Sequence, residues 1–332
     1  MAAKSVHVEL RNFRSSIPPE ILSKWESPTG WRCLVKLFKD WAMIVAGHQL
    51  FIRQPSWATL VVALLLMSWG QRGLSTLAHD SIHMNLFKNK KLNYYVANLA
   101  LAPPAMSTAK QQRSAHNAHH WYLGTAEDPD HGDGNETSLR HYRNGVYEHQ
   151  SIWSLCMYDM MDFKLFRQHV VGGFMEAPLF LTAWWAVVST ITMYLQPSSP
   201  MWKPNGFTSY VSTFVVLFQL SRCTFTYAFY VLREIIDHSG LPQNSILAFT
   251  RSSPANNWFQ RFLQPHDDNY HLLHHLLPRV PMSKLREADQ WLMANSDEYA
   301  EANHYDTYFD GKDALFRQVL HMQDGKKQAM VE

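Results

Sequence analysis

Three histidines in the stretch 269–278, which reads NYHLLHHLLP, have the spacing of a metal-binding helix face. His271, His274 and His275 stand at positions i, i+3 and i+4, which lie on one side of an α-helix. Neutral imidazole is a good ligand for iron, copper, nickel and zinc. The stretch therefore predicts a metal site in which three imidazoles of one short helix point at the same region.

Two further histidine motifs and one separate histidine have the same character. The motifs are HxxxH at 79–83 and HxxHH at 116–120, and the separate histidine follows a long apolar stretch. A zinc site takes four protein ligands or fewer, so nine candidates exceed one ion and suit two. The candidate ligands are His79, His83, His116, His119, His120, His238, His271, His274 and His275.

The cysteine content narrows the choice of metal. Cys33, Cys156 and Cys223 are far apart and form no CxxC motif. This spacing disfavours a disulfide scaffold, a thiolate zinc site, a copper(I) site and an iron–sulfur cluster. A ferritin-like carboxylate site needs glutamates and Glu-x-x-His pairs on four helices, and the sequence lacks that set. Two irons in a histidine-rich shell match the candidate ligands best.

The composition indicates a membrane protein without a nucleic-acid partner. The 332 residues carry a formal net charge of +2, and the basic residues are scattered along the chain. Nucleic-acid binding is therefore not expected. Aromatic residues make up 13% of the chain, which is typical of proteins with aromatic belts at membrane interfaces. The mean hydropathy is only −0.26 because long polar segments separate a few dense apolar ones.

A first pair of apolar stretches predicts a transmembrane helical hairpin. The stretch 41–52 is short, but it can span the bilayer if the helix begins near Trp31 and the side chains of Lys36 and Lys39 snorkel to the interface. The stretch 54–71 contains 18 consecutive uncharged residues, close to the length that crosses a bilayer core. We expect its helix to continue into the HxxxH motif.

A second pair, at 177–202 and about 209–234, predicts another hairpin. Its central charge is Arg222, and a charge at membrane depth normally faces the protein interior and has a partner or a function. Of the 30 Lys and Arg residues, Arg53 and Lys203 alone fall in the predicted outer turns. The positive-inside rule then places both termini and all histidine motifs in the cytoplasm.

These features predict an all-α integral membrane protein with four transmembrane helices in two hairpins and a cytoplasmic helical cap that holds the metal site. We divide the chain into a polar N-terminal tail at 1–30, a membrane domain at 31–295 and a C-terminal cytoplasmic tail at 296–332. The polar start contains no recognisable secretory signal peptide. Surface helices are expected within 138–172, and a helix is expected at 282–294.

The motifs HDSIH, HNAHH and NYHLLHH, in this order and separated by two hairpins, resemble those of the membrane fatty acid desaturase superfamily. The resemblance covers roughly residues 40–295. It implies a non-haem di-iron centre that activates O2 and removes hydrogen from an unactivated C–H bond. The superfamily has a further histidine ligand after the fourth helix, which corresponds to His238. Where some members carry an asparagine that binds a water molecule, this chain has Glu234, which can be a carboxylate ligand or a partner of a ligand.

Acidic and amide residues beside the motifs are candidate partners that orient the ligating imidazoles. His266, in contrast, is expected to be a loop residue. The candidates for ligands or supporting partners are Asp80, Asp130, Glu234, Asp237, Asp268 and Asn269.

The predicted reaction introduces a double bond into a long acyl or alkyl chain that enters from the bilayer. The substrate supplies two electrons, and full reduction of O2 takes two more. The sequence has no His-Pro-Gly-Gly haem motif, flavin fingerprint or cysteine cluster, so we expect a separate donor of the ferredoxin or cytochrome b5 type. Hydroxylation, ketolation and terminal-olefin formation on the same scaffold are alternatives. A non-catalytic metal-binding receptor or transporter is a remote one.

Overall fold

The computed structural model describes residues 3–125, 127–130, 151–195, 212–239 and 241–319. Within these ranges the chain is helical and contains no β-strand. An isolated bridge joins Ser252 to His304. The all-α prediction is therefore confirmed for the described part of the chain.

Six α-helices are described before residue 131. They are α1 (Ala3–Ser15), α2 (Pro19–Trp25), α3 (Gly30–Arg53), α4 (Trp57–Ile82), α5 (Lys90–Val96) and α6 (Ala109–Tyr122). A π-helical turn at Ala97–Leu101 and a 3-10 turn at Pro103–Ala105 follow α5. As predicted from the sequence, α4 continues from its apolar part into the HxxxH motif.

Besides the helical residues 315–319, ten more α-helices are described after residue 150. They are α7 (Ile152–Met160), α8 (Phe163–Arg167), α9 (Gly173–Glu176), α10 (Pro178–Leu195), α11 (Thr213–His238), α12 (Ile246–Phe249), α13 (Trp258–Leu263), α14 (His271–Leu276), α15 (Met282–Asn295) and α16 (Asp297–Ala300). A π-helical turn at Gln168–Gly172 links α8 to α9, and another at Arg222–Thr226 interrupts α11. The predicted turn between α10 and α11, at 196–211, lies outside the described residues.

α3 and α4 pack closely along each other after a connection of three residues. The hydroxyl of Ser56 begins α4 by accepting a hydrogen bond from the backbone N–H of Thr59 at 3.1 Å, and the backbone N–H of Ser56 donates to the Thr59 hydroxyl at 3.0 Å. This reciprocal cap satisfies two N–H groups at the helix start. At Gly70 a Cβ atom would lie 2.5 Å from the carbonyl oxygen of Asp40, so glycine allows the two helices to approach.

Three of the described helices, α4, α10 and α11, are long and apolar enough to cross a membrane. α10 buries little of its surface in the protein, as expected for a helix that faces lipid. α3 has 24 residues, but Lys36, Lys39 and Asp40 precede its apolar stretch at 41–52, so the uncharged part of the helix is short. The fourth transmembrane helix therefore remains a prediction.

The N-terminal segment, expected to be a polar tail, forms α1 and α2. Val6, Phe13 and Trp25 are buried in the same apolar cluster as Leu272 and Leu273 of α14. Most of α1 is polar, so its few buried residues produce no obvious apolar run in the sequence. The structure thus packs α1 and α2 into the same apolar cluster as the helix that carries the third histidine motif, and the boundary at residue 30 stays a prediction.

Candidate metal centre

Four elements deliver the nine candidate histidines to one region of the protein. The last turn of α4 and its C-cap residue carry the first motif, and α6 carries the second. The third motif forms the short helix α14. His238, predicted to lie just beyond an apolar helix, is the last residue of α11. The helix predicted at 269–278 therefore forms, and its partners come from distant parts of the chain.

Five of the histidines form a first cluster whose ligand nitrogens all lie within 4.8 Å of one another. The Nε2 atom of His116 is 2.8 Å from that of His79 and 2.9 Å from that of His83. The Nε2 atoms of His120 and His274 are 3.1 Å apart. The five imidazoles therefore point at a common centre.

The other four form a second cluster. Ligand nitrogens of His119, His238 and His275 lie within 4.8 Å of one another. The Nε2 atom of His271 is 2.8 Å from that of His238 and 3.0 Å from that of His275. The rings of His120 and His275 stack with centroids 4.4 Å apart, so the two clusters are immediate neighbours.

The donor atoms suit metal ions. Buried imidazole nitrogens cannot all donate hydrogen bonds to one another at about 3 Å, whereas nitrogens in adjacent octahedral positions are about 3.0 Å apart when the metal–nitrogen bond is about 2.1 Å. Burial lowers the pKa of His116, His120 and His274 well below the usual value, and neighbouring histidines lower it further. These rings are therefore neutral at pH 7 and present the lone pairs that a metal requires.

His119 is held by a buried carboxylate that the sequence analysis missed. Its Nδ1 atom lies 2.9 Å from Oδ1 of Asp128, and Oδ2 of Asp128 accepts the backbone N–H of Gly124 at 3.0 Å. Burial lowers the pKa of His119, but the negative charge of Asp128, with smaller effects of Asp130 and Glu234, raises the pKa to about 9. Asp130, a predicted partner, has a half-buried side chain that lies 3.6 Å from Nδ1 of His119. Three acidic residues follow one another closely here, and their spacing alone did not single out Asp128.

Two of the predicted acidic residues meet at buried arginines. Nε of Arg233 lies 2.9 Å from Oδ2 of Asp237 and 3.2 Å from Oδ2 of Asp268. Asp268 also accepts a hydrogen bond from Nη2 of Arg72 at 3.2 Å, and its other oxygen is 3.9 Å from Nδ1 of His79. The structure therefore places Asp237 and Asp268 beside the clusters, but their direct partners are Arg72 and Arg233, which the sequence did not identify.

Glu234 lies beside the same arginine. Its carboxylate accepts from Nη1 of Arg233 at 2.8 Å, and Nη2 of Arg233 is 3.3 Å from Nδ1 of His271. Glu234 also lines the cavity described below. The structure thus brings Glu234 to the site without including it in either nitrogen cluster.

The remaining candidates support the helices rather than the histidines in the described contacts. Asp80 accepts the backbone N–H of Met282 at 3.3 Å, and Asn269 donates to the carbonyl of Ser253 at 3.2 Å. His266, expected to be a loop residue, lies 2.7 Å from Oδ2 of Asp40 through its Nε2 atom. These contacts connect α4, α15 and α3 to the segments around the third motif.

Both clusters border one cavity of about 650 Å³. His79 and His116 of the first cluster line it together with His119, His238 and His271 of the second. Away from the histidines it extends between α4, α6, α11 and the segment 168–176. The cavity therefore gives a molecule access to both clusters at once.

The comparison with known proteins agrees with this arrangement. The family model for fatty acid desaturases matches residues 55–307, a range that contains all nine histidines. The chain is also similar to the dihydrorhizobitoxine desaturase of Bradyrhizobium elkanii, with 27% identity over 276 residues, which cover 77% of this chain and 74% of the relative. With the family match extending over most of the chain, the protein belongs to the fatty acid desaturase family.

Proposed function

We propose that this protein is an integral membrane di-iron oxidase that uses O2 to introduce a double bond. The observation that carries the proposal is the pair of adjacent histidine clusters that open on one cavity. The first iron site would comprise the five-histidine cluster and the second the four-histidine cluster. When bound, two irons in such a shell supply the capacity to activate O2 and to remove hydrogen from an unactivated C–H bond.

The residues around the histidines hold the site in position. Asp128 fixes the orientation and tautomer of His119, and the backbone carbonyl of Phe249, 2.9 Å from Nδ1 of His238, does the same for that ring. The charged group formed by Arg72, Arg233, Asp237 and Asp268 ties α4 and α11 to the third motif. Such partners are needed because ligating imidazoles lose affinity when their orientation is not fixed. Glu234, which faces the cavity, is the candidate carboxylate ligand.

We propose a long acyl or alkyl chain as the substrate, in line with the family. The cavity beside the histidines would hold the chain so that the oxidised carbon lies next to the irons, where positioning and exclusion of water favour the reaction. Hydroxylation, ketolation or terminal-olefin formation on the same site is the alternative. These reactions differ in where the attacked C–H bond lies and in whether an oxygen atom is transferred to the carbon.

In the membrane, α3 would form the fourth span beside α4, and α10 with α11 the second hairpin. Lys36 and Lys39 would then lie near the interface on the side of the histidines. This arrangement puts the clusters on the cytoplasmic side, above a membrane domain at 31–295. The electrons would come from a separate protein of the ferredoxin or cytochrome b5 type.

The proposal is tested by metal analysis and by labelled products. Purified protein is expected to contain close to two irons per chain, and His119→Ala or His274→Ala should lower this content while membrane insertion persists. Incubation with 18O2, an electron donor and a panel of acyl chains should yield products that lack two hydrogens and carry no label. Label in the product would support the hydroxylase or ketolase alternative. Bound zinc without iron, or products that form equally without O2, would contradict the di-iron oxidase.

A further inference from the structure

The cavity has a polar region far from the histidines. Arg222, in the π-helical turn of α11, lines this region. It stands sixteen residues before His238, a separation of about 24 Å along a helix that rises about 1.5 Å per residue. A hydrocarbon tail by itself needs no such surroundings. Other polar residues that line the cavity here include Gln71, Gln168, His169, Glu176, Thr226 and Tyr227.

Several of these polar groups are already satisfied within the protein. The side-chain N–H2 of Gln71 donates to the carbonyl of Phe218 at 3.1 Å, and its oxygen accepts from the Thr226 hydroxyl at 3.1 Å. The hydroxyl of Tyr227 donates to the carbonyl of Asp159 at 3.2 Å. These residues therefore maintain the shape of the region without a ligand.

Arg222 differs from them because its positive charge has no counter-charge among the described residues. Its Nε donates to Oε1 of Gln219 at 2.8 Å, and its Nη1 donates to the carbonyl of Val170 at 2.9 Å. Both acceptors are neutral, and a guanidinium has five N–H donors. Glu176 lines the same region, but it is exposed and forms no ion pair with Arg222 within the described ranges.

A cation at membrane depth normally has a partner or a function. An anion is the complementary group, and Arg is suited to bind a carboxylate through two parallel hydrogen bonds. Resting on the proposed function, we propose that the substrate carries an anionic group that binds Arg222 at this end of the cavity, while the carbon to be oxidised lies at the histidines. The substrate would then be a chain with a free acid group, held at its end, rather than an uncharged lipid tail.

A matched pair of probes tests this inference: dodecanoate and 1-dodecanol, which share a chain and differ in the charge of the end group. Iron-loaded protein in lipid nanodiscs is titrated with each probe, and the concentration that gives half of the maximal rise in unfolding temperature is recorded. A charge-assisted hydrogen bond changes affinity by about tenfold or more, so dodecanoate should act at a concentration about tenfold lower than 1-dodecanol.

In Arg222→Gln, dodecanoate and 1-dodecanol should act at about the same concentration. Arg222→Lys, which keeps the charge, should retain part of the preference. Arg167→Gln is the matched control, because Arg167 is exposed and does not line the cavity, and it should keep the full preference.

Equal action of both probes on the wild type would overturn the inference, and so would a preference that survives in Arg222→Gln. Loss of the preference in Arg222→Lys to the same extent as in Arg222→Gln would show that Arg222 serves packing instead, and would also overturn it. Iron content and O2-dependent loss of hydrogen, measured on the same samples, report on the proposed function separately. An iron-containing, active enzyme that ignores the end group would thus refute the inference while the proposed function stands.

Discussion

At the scale of single residues, the candidate histidines differ in what holds their rings. In the second cluster, Nδ1 of His119 faces Asp128 and Nδ1 of His238 faces the carbonyl of Phe249. Nδ1 of His79 in the first cluster and Nδ1 of His275 in the second are both buried without a hydrogen-bond partner among the described residues. Imidazoles that donate to a carboxylate are better oriented and more basic ligands. We therefore expect His119 and His238 to be better oriented ligands than His79 and His275.

Replacing Asp128 by asparagine should weaken one metal site. The amide keeps the size of the side chain but removes the negative charge that orients His119, and losses of this kind lower metal affinity by about 10- to 100-fold. Competition between the protein and a chelator for Fe(II), followed by the iron retained per chain, measures the change.

Asp130→Asn is the matched control, because Asp130 is 46% exposed and lies 3.6 Å from the same nitrogen. Its effect on iron retention should be much smaller than that of Asp128→Asn. If the two variants retain iron equally well, the assignment of Asp128 as the orienting residue is wrong.

At the scale of elements, close packing of helices determines where the ligands lie. α4 carries two ligands at its end and is fixed against α3 through Gly70. α14 carries three ligands and is covered by α1 through buried apolar residues. Substitutions at either contact should lower the stability of the fold, and they should disturb the histidine clusters only as a consequence of that loss.

Gly70→Ala should destabilise the protein. The added methyl group would lie 2.5 Å from the carbonyl oxygen of Asp40, which is backbone and cannot easily move. Overpacking of this kind costs about 1–3 kcal/mol, which exceeds the gain of about 1 kcal/mol from helix propensity. The thermal unfolding midpoint in detergent should fall. Gly172→Ala, where the nearest atom is 4.0 Å away, should leave it nearly unchanged, and an equal fall in both variants would refute the packing argument.

Phe13→Ala tests whether α1 is part of the folded core. Phe13 is 4% exposed and belongs to the cluster that contains Leu272 and Leu273. Truncation of a buried phenylalanine costs about 3–5 kcal/mol, so the unfolding midpoint should drop markedly. Arg11→Ala, on the exposed side of α1, should have little effect, and a Phe13→Ala protein as stable as wild type would show that α1 is dispensable for the core.

At the scale of the whole molecule, the candidate metal centre joins segments that are distant along the chain. Its ligands come from α4, α6, α11 and α14, and the two clusters share one cavity. A metal that binds only this assembled state must stabilise the fold. Under the proposed function, the histidines would be the points at which iron binding and folding are coupled.

Iron should therefore raise the unfolding temperature. A ligand that binds the folded state alone contributes about 4 kcal/mol when its free concentration is about 1,000 times its dissociation constant. Thermal unfolding of metal-free protein, followed during anaerobic addition of Fe(II), should show a midpoint that increases with iron concentration. The double variant His274→Ala, His275→Ala removes one ligand from each cluster and should lose most of this increase. A midpoint that does not respond to iron in the wild type would contradict the coupling.

The helical fold and the nine candidate histidines could be predicted from the amino-acid sequence. The histidines were found because i, i+3 and i+4 spacing is a local property of a helix, and the apolar helices were found because a long apolar stretch is recognised without any tertiary contact. The helices α4 and α14 and the end of α11 agree with that prediction.

Which histidines share a centre could be read from the tertiary structure alone. His120 lies with His274, and His119 lies with His275, whereas the spacing of the motifs in the sequence allows other pairings equally well. The structure also shows that Asp128 is the residue that orients His119 and that Arg72 and Arg233 pair with Asp268. It places Arg222 in the wall of the cavity. These arrangements depend on contacts between residues far apart in sequence, and local spacing contains no information about how distant helices pack.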